Sequence, residues 1–254
     1  MTQSQQGKRS ALGGLLALAV TVSVLAWVGK WVADPAVTPL RVAKIEGELR
    51  YLKRADLERA VADVSRGGFF TVDVRAVKQA AESLPWVAKA SVRRAWPDSL
   101  HILVVEQTPF ARWGEKSLVN PRGEVFVPGE PDMSLDLPYL AGPEGSGQEV
   151  VERYRYAGRV LESLGMKVVR IELSERRAWS LRTDGGVVVQ LGVGDFQKRL
   201  ERFVKAYPLL TKERDQKMES ADMRYSNGMA VKWAERVEER VSINWGQTTV
   251  SNFS

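Results

Sequence analysis

The sequence predicts an α+β protein: one apolar helix, then a β-α-α-β-β module, then a strand-rich region carrying two helices. Three observations carry that prediction. Ala11–Val28 is an unbroken uncharged run. Residues 40–108 alternate strand-like segments with two helical apolar stripes. Residues 110–233 hold two hairpin signals, Asp184-Gly185-Gly186 and Asn227-Gly228, among short apolar runs.

The apolar run comes first. ALGGLLALAVTVSVLAWV is 18 residues long. As a helix it covers roughly 27 Å, and Gly29 brings it close to the ~30 Å hydrocarbon core of a bilayer. Trp27 and Trp31 lie at one end, where amphipathic rings favour the headgroup layer, and Lys30 can snorkel there. Lys8 and Arg9 precede the run in an arm with no acid, which orients the N-terminus to the cytoplasm. A cleavable signal peptide has a shorter apolar core ending in a small-x-small site. The length of this run and its bulky Trp27 and Trp31 favour an uncleaved anchor. The expected layout is a cytoplasmic arm at 1–10, a single transmembrane helix at 11–29 and a linker at 30–39, with the rest exported.

In the next segment, Leu40–Glu46 is a short strand closed by Gly47. Arg54–Val64 is helical, with Leu57, Val61 and Val64 on one stripe, and Gly67-Gly68 breaks it. Asp73 is placed to cap a second helix, Val74–Leu84, which Pro85 ends. Trp86–Trp96 and Ser99–Gln107 are strands joined by a Pro97-Asp98 turn. Three strands with two helices on one face bury this apolar set economically.

Residues 110–233 change character. Leu118–Val127 reads strand, turn, strand, and 128–149 is rich in proline and glycine and reads mostly as loop. Val150–Leu164 is a helix and Val168–Leu173 a strand. Trp179–Thr183 and Val187–Leu191 flank the first hairpin signal. Asp195–Tyr207 is a helix, with Asp195 at its cap and Pro208 as its stop. Ala221–Tyr225 and Met229–Trp233 flank the second hairpin signal. Residues 234–254 are charged, then polar, and read as a tail.

Composition narrows the chemistry. There is no cysteine, which excludes a thiol nucleophile, a disulfide and a Cys-ligated metal. The single histidine, His101, falls inside a strand and reads as an ordinary strand side chain. Gly192-Val193-Gly194 lacks the rest of any nucleotide fingerprint, and no serine sits in a Gly-x-Ser-x-Gly elbow. No catalytic, cofactor or metal residues are assigned, and an enzyme is not expected. The formal charge of +6 suggests a polyanion ligand, but its distribution does not. Lys8, Arg9 and Lys30 flank the apolar run, and the exported part is nearly balanced. Neither a nucleic-acid partner nor a small-molecule substrate is expected.

Three clusters read as partner surfaces. Val92-Arg93-Arg94-Ala95-Trp96 places basic and aromatic groups on a strand before a turn. Arg176-Arg177 precedes Trp179 at the start of a hairpin, and paired arginines suit an acidic partner. Met229–Trp233, the last strand, is expected at a sheet edge, where a partner strand can add. Each is also compatible with a purely structural role.

Several stretches carry a resemblance: Leu84-Pro85-Trp86-Val87, Val92–Leu100 (VRRAWPDSL), Val105–Trp113 (VEQTPFARW), Asn120-Pro121-Arg122-Gly123, Ser174–Trp179 (SERRAW) and Met223–Trp233 (MRYSNGMAVKW). In this order they resemble the FtsQ/DivIB family of bacterial cell-division proteins, in its proteobacterial form. The resemblance implies a POTRA domain at 40–109 and a β-domain at 110–233. It implies a non-enzymatic divisome scaffold in the inner membrane, concentrated at the septum. FtsB, arriving with FtsL, would bind the β-domain through Arg176, Arg224, Tyr225, Ser226 and Trp233. FtsK, FtsW and other divisome proteins would meet the POTRA domain through Lys89, Val92, Arg94 and Glu106. The alternative from another class is a bitopic assembly subunit of a secretion or pilus machine.

Overall fold

The computed structural model describes residues 4–33, 42–129, 136–212, 214 and 216–235, and on 4–16, 32–33 and 42–43 the backbone only. The expectations for 34–41 and for the tail beyond 235 lie outside the described residues. The first element is α1, Ser4–Ala33, which contains the expected apolar span. All its described side chains, 17–31, are exposed. Thr21 Oγ1 donates to the Ala17 carbonyl at 2.9 Å, so that hydroxyl is satisfied within the helix. Among the described residues no helix is long and apolar enough to cross a membrane, and the described side chains of α1 cover only part of the uncharged run.

The chain forms two compact units. The first gathers 1–110 with 116–121 and 125–134, and the second gathers 111–115, 122–124 and the chain from 135 onward. After α1 the first unit continues with β1 (Val42–Glu46), α2 (Arg54–Ala62), α3 (Val74–Glu82), β2 (Val87–Ala95) and β3 (Ser99–Glu106). This is the expected β-α-α-β-β order. Its sheet runs β1-β3-β2, with β1 parallel and β2 antiparallel to β3. Alternation along β3 turns Leu100, Ile102 and Val104 into the core with Leu57, Val61, Val77 and Ala81 of the helices. It leaves His101, Leu103 and Val105 on the opposite face. Asp73 caps α3, accepting from the N–H groups of Arg75 at 2.9 Å and Ala76 at 3.2 Å. Gly47 ends β1 at φ +148°, and a Cβ there would lie 2.4 Å from the Val104 carbonyl oxygen, so only glycine fits.

The remaining elements are β4 (Ala111–Trp113), β5 (Ser117–Val119), β6 (Val125–Phe126), β7 (Tyr139–Ala141), α4 (Gly147–Leu161), β8 (Val168–Leu173), β9 (Trp179–Thr183), β10 (Val188–Gly192), α5 (Phe196–Thr211), β11 (Met218–Asp222) and β12 (Ala230–Trp233). The β5–β6 hairpin falls in the first unit, where Phe126 meets Trp86 edge-on at 5.4 Å. The strands of the second unit lie in the order β12-β11-β10-β9-β8-β7-β4. Three of its neighbouring pairs, β4–β7, β7–β8 and β10–β11, are parallel; α4 supplies the crossover of the second and α5 that of the third. Both helices pack on the sheet and on each other. Val150, Ala157, Leu161, Leu200 and Phe203 are buried there with Leu140, Ile171, Leu181, Val189 and Ala221.

Two readings are corrected. Pro208 does not stop α5, which continues to Thr211. Pro208 lacks the N–H that would donate to the Val204 carbonyl, but its own carbonyl still accepts from Lys212 N–H at 3.1 Å, so the last turn continues past it. Within 128–149 most described residues are loop, as read, and β7 and the first residues of α4 interrupt it. The strands flanking Asn227-Gly228 form the expected antiparallel hairpin, but its loop is longer than read, because β11 ends at Asp222 and β12 begins at Ala230. The carbonyls that would extend the ladder are taken by an arginine of α5, described next.

Candidate partner-binding surfaces

One end of the second unit's sheet concentrates the β-domain candidates. Register sets it out: Trp179 of β9 faces Leu173 and Gly192, and Val189 of β10 faces Ala221. The β8–β9 turn with Arg176, the end of β10 and the segment after Asp222 therefore lie at the same end. The turn is closed by Ser174, whose N–H donates to the Ala178 carbonyl at 2.9 Å and whose Oγ accepts from Ala178 N–H at 3.1 Å. Arg177 adopts φ +60° and reaches Glu149 at 3.4 Å, while Arg176 is exposed.

Arg224 is committed within the chain. Its Nε and Nη2 donate to both Asp222 carboxylate oxygens at 2.6–3.0 Å. This bond holds the Asp222 carboxyl below the ordinary carboxylate range and raises Arg224. The Arg224 stem lies over Gly192: a Cβ at Gly192, where φ is +68°, would come within 2.7 Å of Arg224 Cγ.

Two arginines that sequence reasoning did not single out shape this segment. Arg199 of α5 donates to the carbonyls of Leu191 at 2.5 Å, Val193 at 2.7 Å and Arg224 at 3.5 Å. Arg202, one turn later, donates to Ser226 at 2.6 Å, Tyr225 at 2.8 Å and Met223 at 2.9 Å. A guanidinium suits this task because its planar fork offers five donors. With its backbone so held, Tyr225 stands 58% exposed, and Ser226 is exposed beside it.

Trp233 is not at that end. It pairs with Met218, at the far end of β11, so β12 places it about 10 Å of strand from Ala230. It is half-buried, with the Arg214 guanidinium over its ring at 4.7 Å from the centroid. β12 is the terminal strand of the sheet, as the sequence implied. Ala234 N–H donates to the Lys217 carbonyl at 2.9 Å, so alternation turns the main-chain groups of Val231 and Trp233 outward. Among the described residues, the free edge thus runs between Tyr225 and Trp233.

The four candidates of the first unit separate. Lys89 faces Val105 and lies on the open side of the sheet with Leu103. Val92 faces Ile102 and packs against the core. Arg94 bends across the end of the sheet, donating to the Val72 carbonyl at 2.6 Å. Glu106 accepts from three consecutive backbone N–H groups, Arg50 at 2.7 Å, Tyr51 at 2.8 Å and Leu52 at 2.5 Å, and so holds the chain between β1 and α2. β2, which carries the first three, is an edge strand.

Comparison with known proteins matches both units. A family model described as cell division protein FtsQ/DivIB, C-terminal, matches residues 111–224. A second, described as POTRA domain, FtsQ-type, matches residues 38–107. The chain is 36% identical over 231 residues to the cell division protein FtsQ of Methylomonas methanica, covering 89% of this chain and 91% of that one. It is 37% identical over 227 residues to the FtsQ of Escherichia coli K12, covering 87% and 82%. With the FtsQ of Nitrosospira multiformis it shares 34% identity over 239 residues, covering 91% and 99%.

Proposed function

The chain belongs to the FtsQ/DivIB family of bacterial cell-division proteins, and from that we propose that it is a non-catalytic, single-pass scaffold of the divisome. Residues 11–29 anchor it in the inner membrane with the N-terminus in the cytoplasm. A POTRA domain at 40–109 and a β-domain at 110–233 stand in the periplasm at the septum. An apolar helix whose described side chains are all exposed, with its Thr21 hydroxyl satisfied internally, supports the anchor. The anchor confines the chain to two dimensions, which raises the effective concentration of other membrane-held partners.

The observation that carries the partner reading is the free edge of β12 between exposed Tyr225 and half-buried Trp233. A strand of FtsB, arriving with FtsL, adds to that edge through the outward main-chain groups of Val231 and Trp233. Tyr225 and Trp233 contact its alternate side chains, and Arg176 meets an acidic residue on it. Arg224 and Ser226 border the same strand, with Arg224 free to pair with the partner only when it leaves Asp222. Lys89, Val92 and Arg94 on the edge strand β2, with Glu106 at the end of β3, form the region that meets FtsK, FtsW and other divisome proteins. Photo-crosslinkers at Tyr225 and Val231 test the β-domain reading in membranes. Both positions are expected to capture FtsB, and capture from neither, with an exposed position on α4 as reference, contradicts it.

A further inference from the structure

Beyond α1, two large aromatic side chains of the first unit are more than half exposed: Trp96 at 83% and Phe70 at 52%. They are brought to one end of the sheet. Trp96 follows β2 directly, and Phe70 sits in the α2–α3 connection, which the Arg94 guanidinium ties to that end of β2 through the Val72 carbonyl. Phe69 is 6% exposed and meets Phe70 edge-on at 5.1 Å. One ring therefore fixes the connection in the core while its neighbour points out. Among the described residues neither outer ring enters the core, and a tryptophan this exposed needs an account.

Register identifies which end this is. Val42, the first residue of β1, is level with Ser99, immediately after the Trp96-Pro97-Asp98 turn. Only 34–41 separate Val42 from Ala33, the last residue of α1, a reach of about 30 Å at full extension. β1 therefore begins at the end that carries Phe70 and Trp96. The opposite end, marked by Glu106, lies roughly 23 Å further along β3.

Resting on the anchor reading above, we infer that the Phe70–Trp96 end of the POTRA domain seats in the headgroup layer of the bilayer that holds α1. Tryptophan favours that layer because its ring is apolar and its indole N–H is polar. Arg93, exposed three residues before Trp96, and Arg75, exposed in the first turn of α3, add cationic groups that suit lipid phosphates. The contact orients the domain against the membrane and fixes the height at which its partner surfaces stand.

The absence of cysteine permits a clean test. The full chain is placed in nanodiscs of phosphatidylethanolamine and phosphatidylglycerol, with a nitroxide on a single introduced cysteine. Its accessibility to oxygen is compared with that to a water-soluble nickel chelate. Phe70→Cys is expected to report a lipid-interface depth, Glu48→Cys at the opposite end to report water, and Val20→Cys to report the hydrocarbon. Adding Trp96→Ser to Phe70→Cys is expected to move that label into water without altering the domain's circular dichroism. A label at 70 that is aqueous while that at 20 is in lipid overturns the inference and leaves the anchor standing. A label at 20 that is aqueous removes the anchor and the inference together. An interface depth at 70 unchanged by Trp96→Ser overturns the role assigned to the pair.

Discussion

Arg202 holds Tyr225 by its backbone and leaves its ring in solvent. The guanidinium donates to the Tyr225 carbonyl at 2.8 Å, and the same group takes Met223 and Ser226. A segment that would otherwise be a flexible connection between β11 and β12 is thereby given one shape. The proposed partner surface is preorganised by a residue that need not touch the partner, which lowers the ordering cost of association.

Arg202→Ala is therefore expected to weaken FtsB binding by roughly tenfold, about 1.4 kcal/mol, while the β11–β12 ladder persists. Hydrogen exchange separates this from unfolding: the amides of Met223 and Arg224, which donate to Gln190 and Asp222, lose protection and those of β11 keep theirs. Arg202→Lys, with one ammonium for three carbonyls, is expected to fall between. Unchanged affinity for Arg202→Ala contradicts the preorganisation account.

Glu106 behaves as a structural anion. Its carboxylate collects three backbone donors, so Glu106→Gln is expected to cost about 1–3 kcal/mol in the unfolding of the first unit. Glu106→Lys places a cation against the same donors and is expected to cost more. Chemical denaturation followed through Trp86, which stacks on Tyr51 at 4.5 Å, reads this directly. A recruitment defect in either variant counts as a surface effect only if stability is unchanged.

The Asp222–Arg224 pair predicts a pH dependence. The Asp222 carboxyl is held below its ordinary value, so the folded protein binds the proton less readily than the unfolded chain. Its contribution to stability is complete above the unfolded carboxyl pKa of about 3.9 and is lost as pH falls through the lower folded value. The difference in denaturation midpoint between the parent and Asp222→Asn is expected to be constant from neutral pH to about pH 5 and to shrink below about pH 4. A difference that grows in acid contradicts the sign.

Much of the fold was legible because it rests on local rules. The stripe on α3, its Asp73 cap and the alternation of β3 are all short-range, and the structure places them as read. β4 and β7 were not legible: each is three residues long, and the parallel pairing between them joins strands that β5 and β6 separate in the chain. Pro208 does not end its helix because it costs one backbone bond while the turn after it still closes on its carbonyl, which the sequence does not show. Among site residues, the exposed Tyr225 and the edge position of β12 follow from an aromatic beside a turn and a strand at the end of the order. The role of Arg202 could not be read, since a guanidinium on a helix looks the same in sequence whether it faces water or three carbonyls. Arg224 reads in sequence as a free cation, but its partner Asp222, two residues away, is settled only by geometry.

The central claim is strand addition at β12, and its most direct test is the affinity of the full chain in nanodiscs for FtsB with Val231→Pro. The Val231 N–H points away from β11, so proline there removes a donor from the free edge and none from the ladder. Lys232→Pro, whose N–H alternation directs inward, serves as the reference for damage to the sheet. The account predicts that Val231→Pro abolishes measurable binding while the unfolding midpoint stays near that of the parent. Parental affinity for Val231→Pro would contradict main-chain addition at this edge.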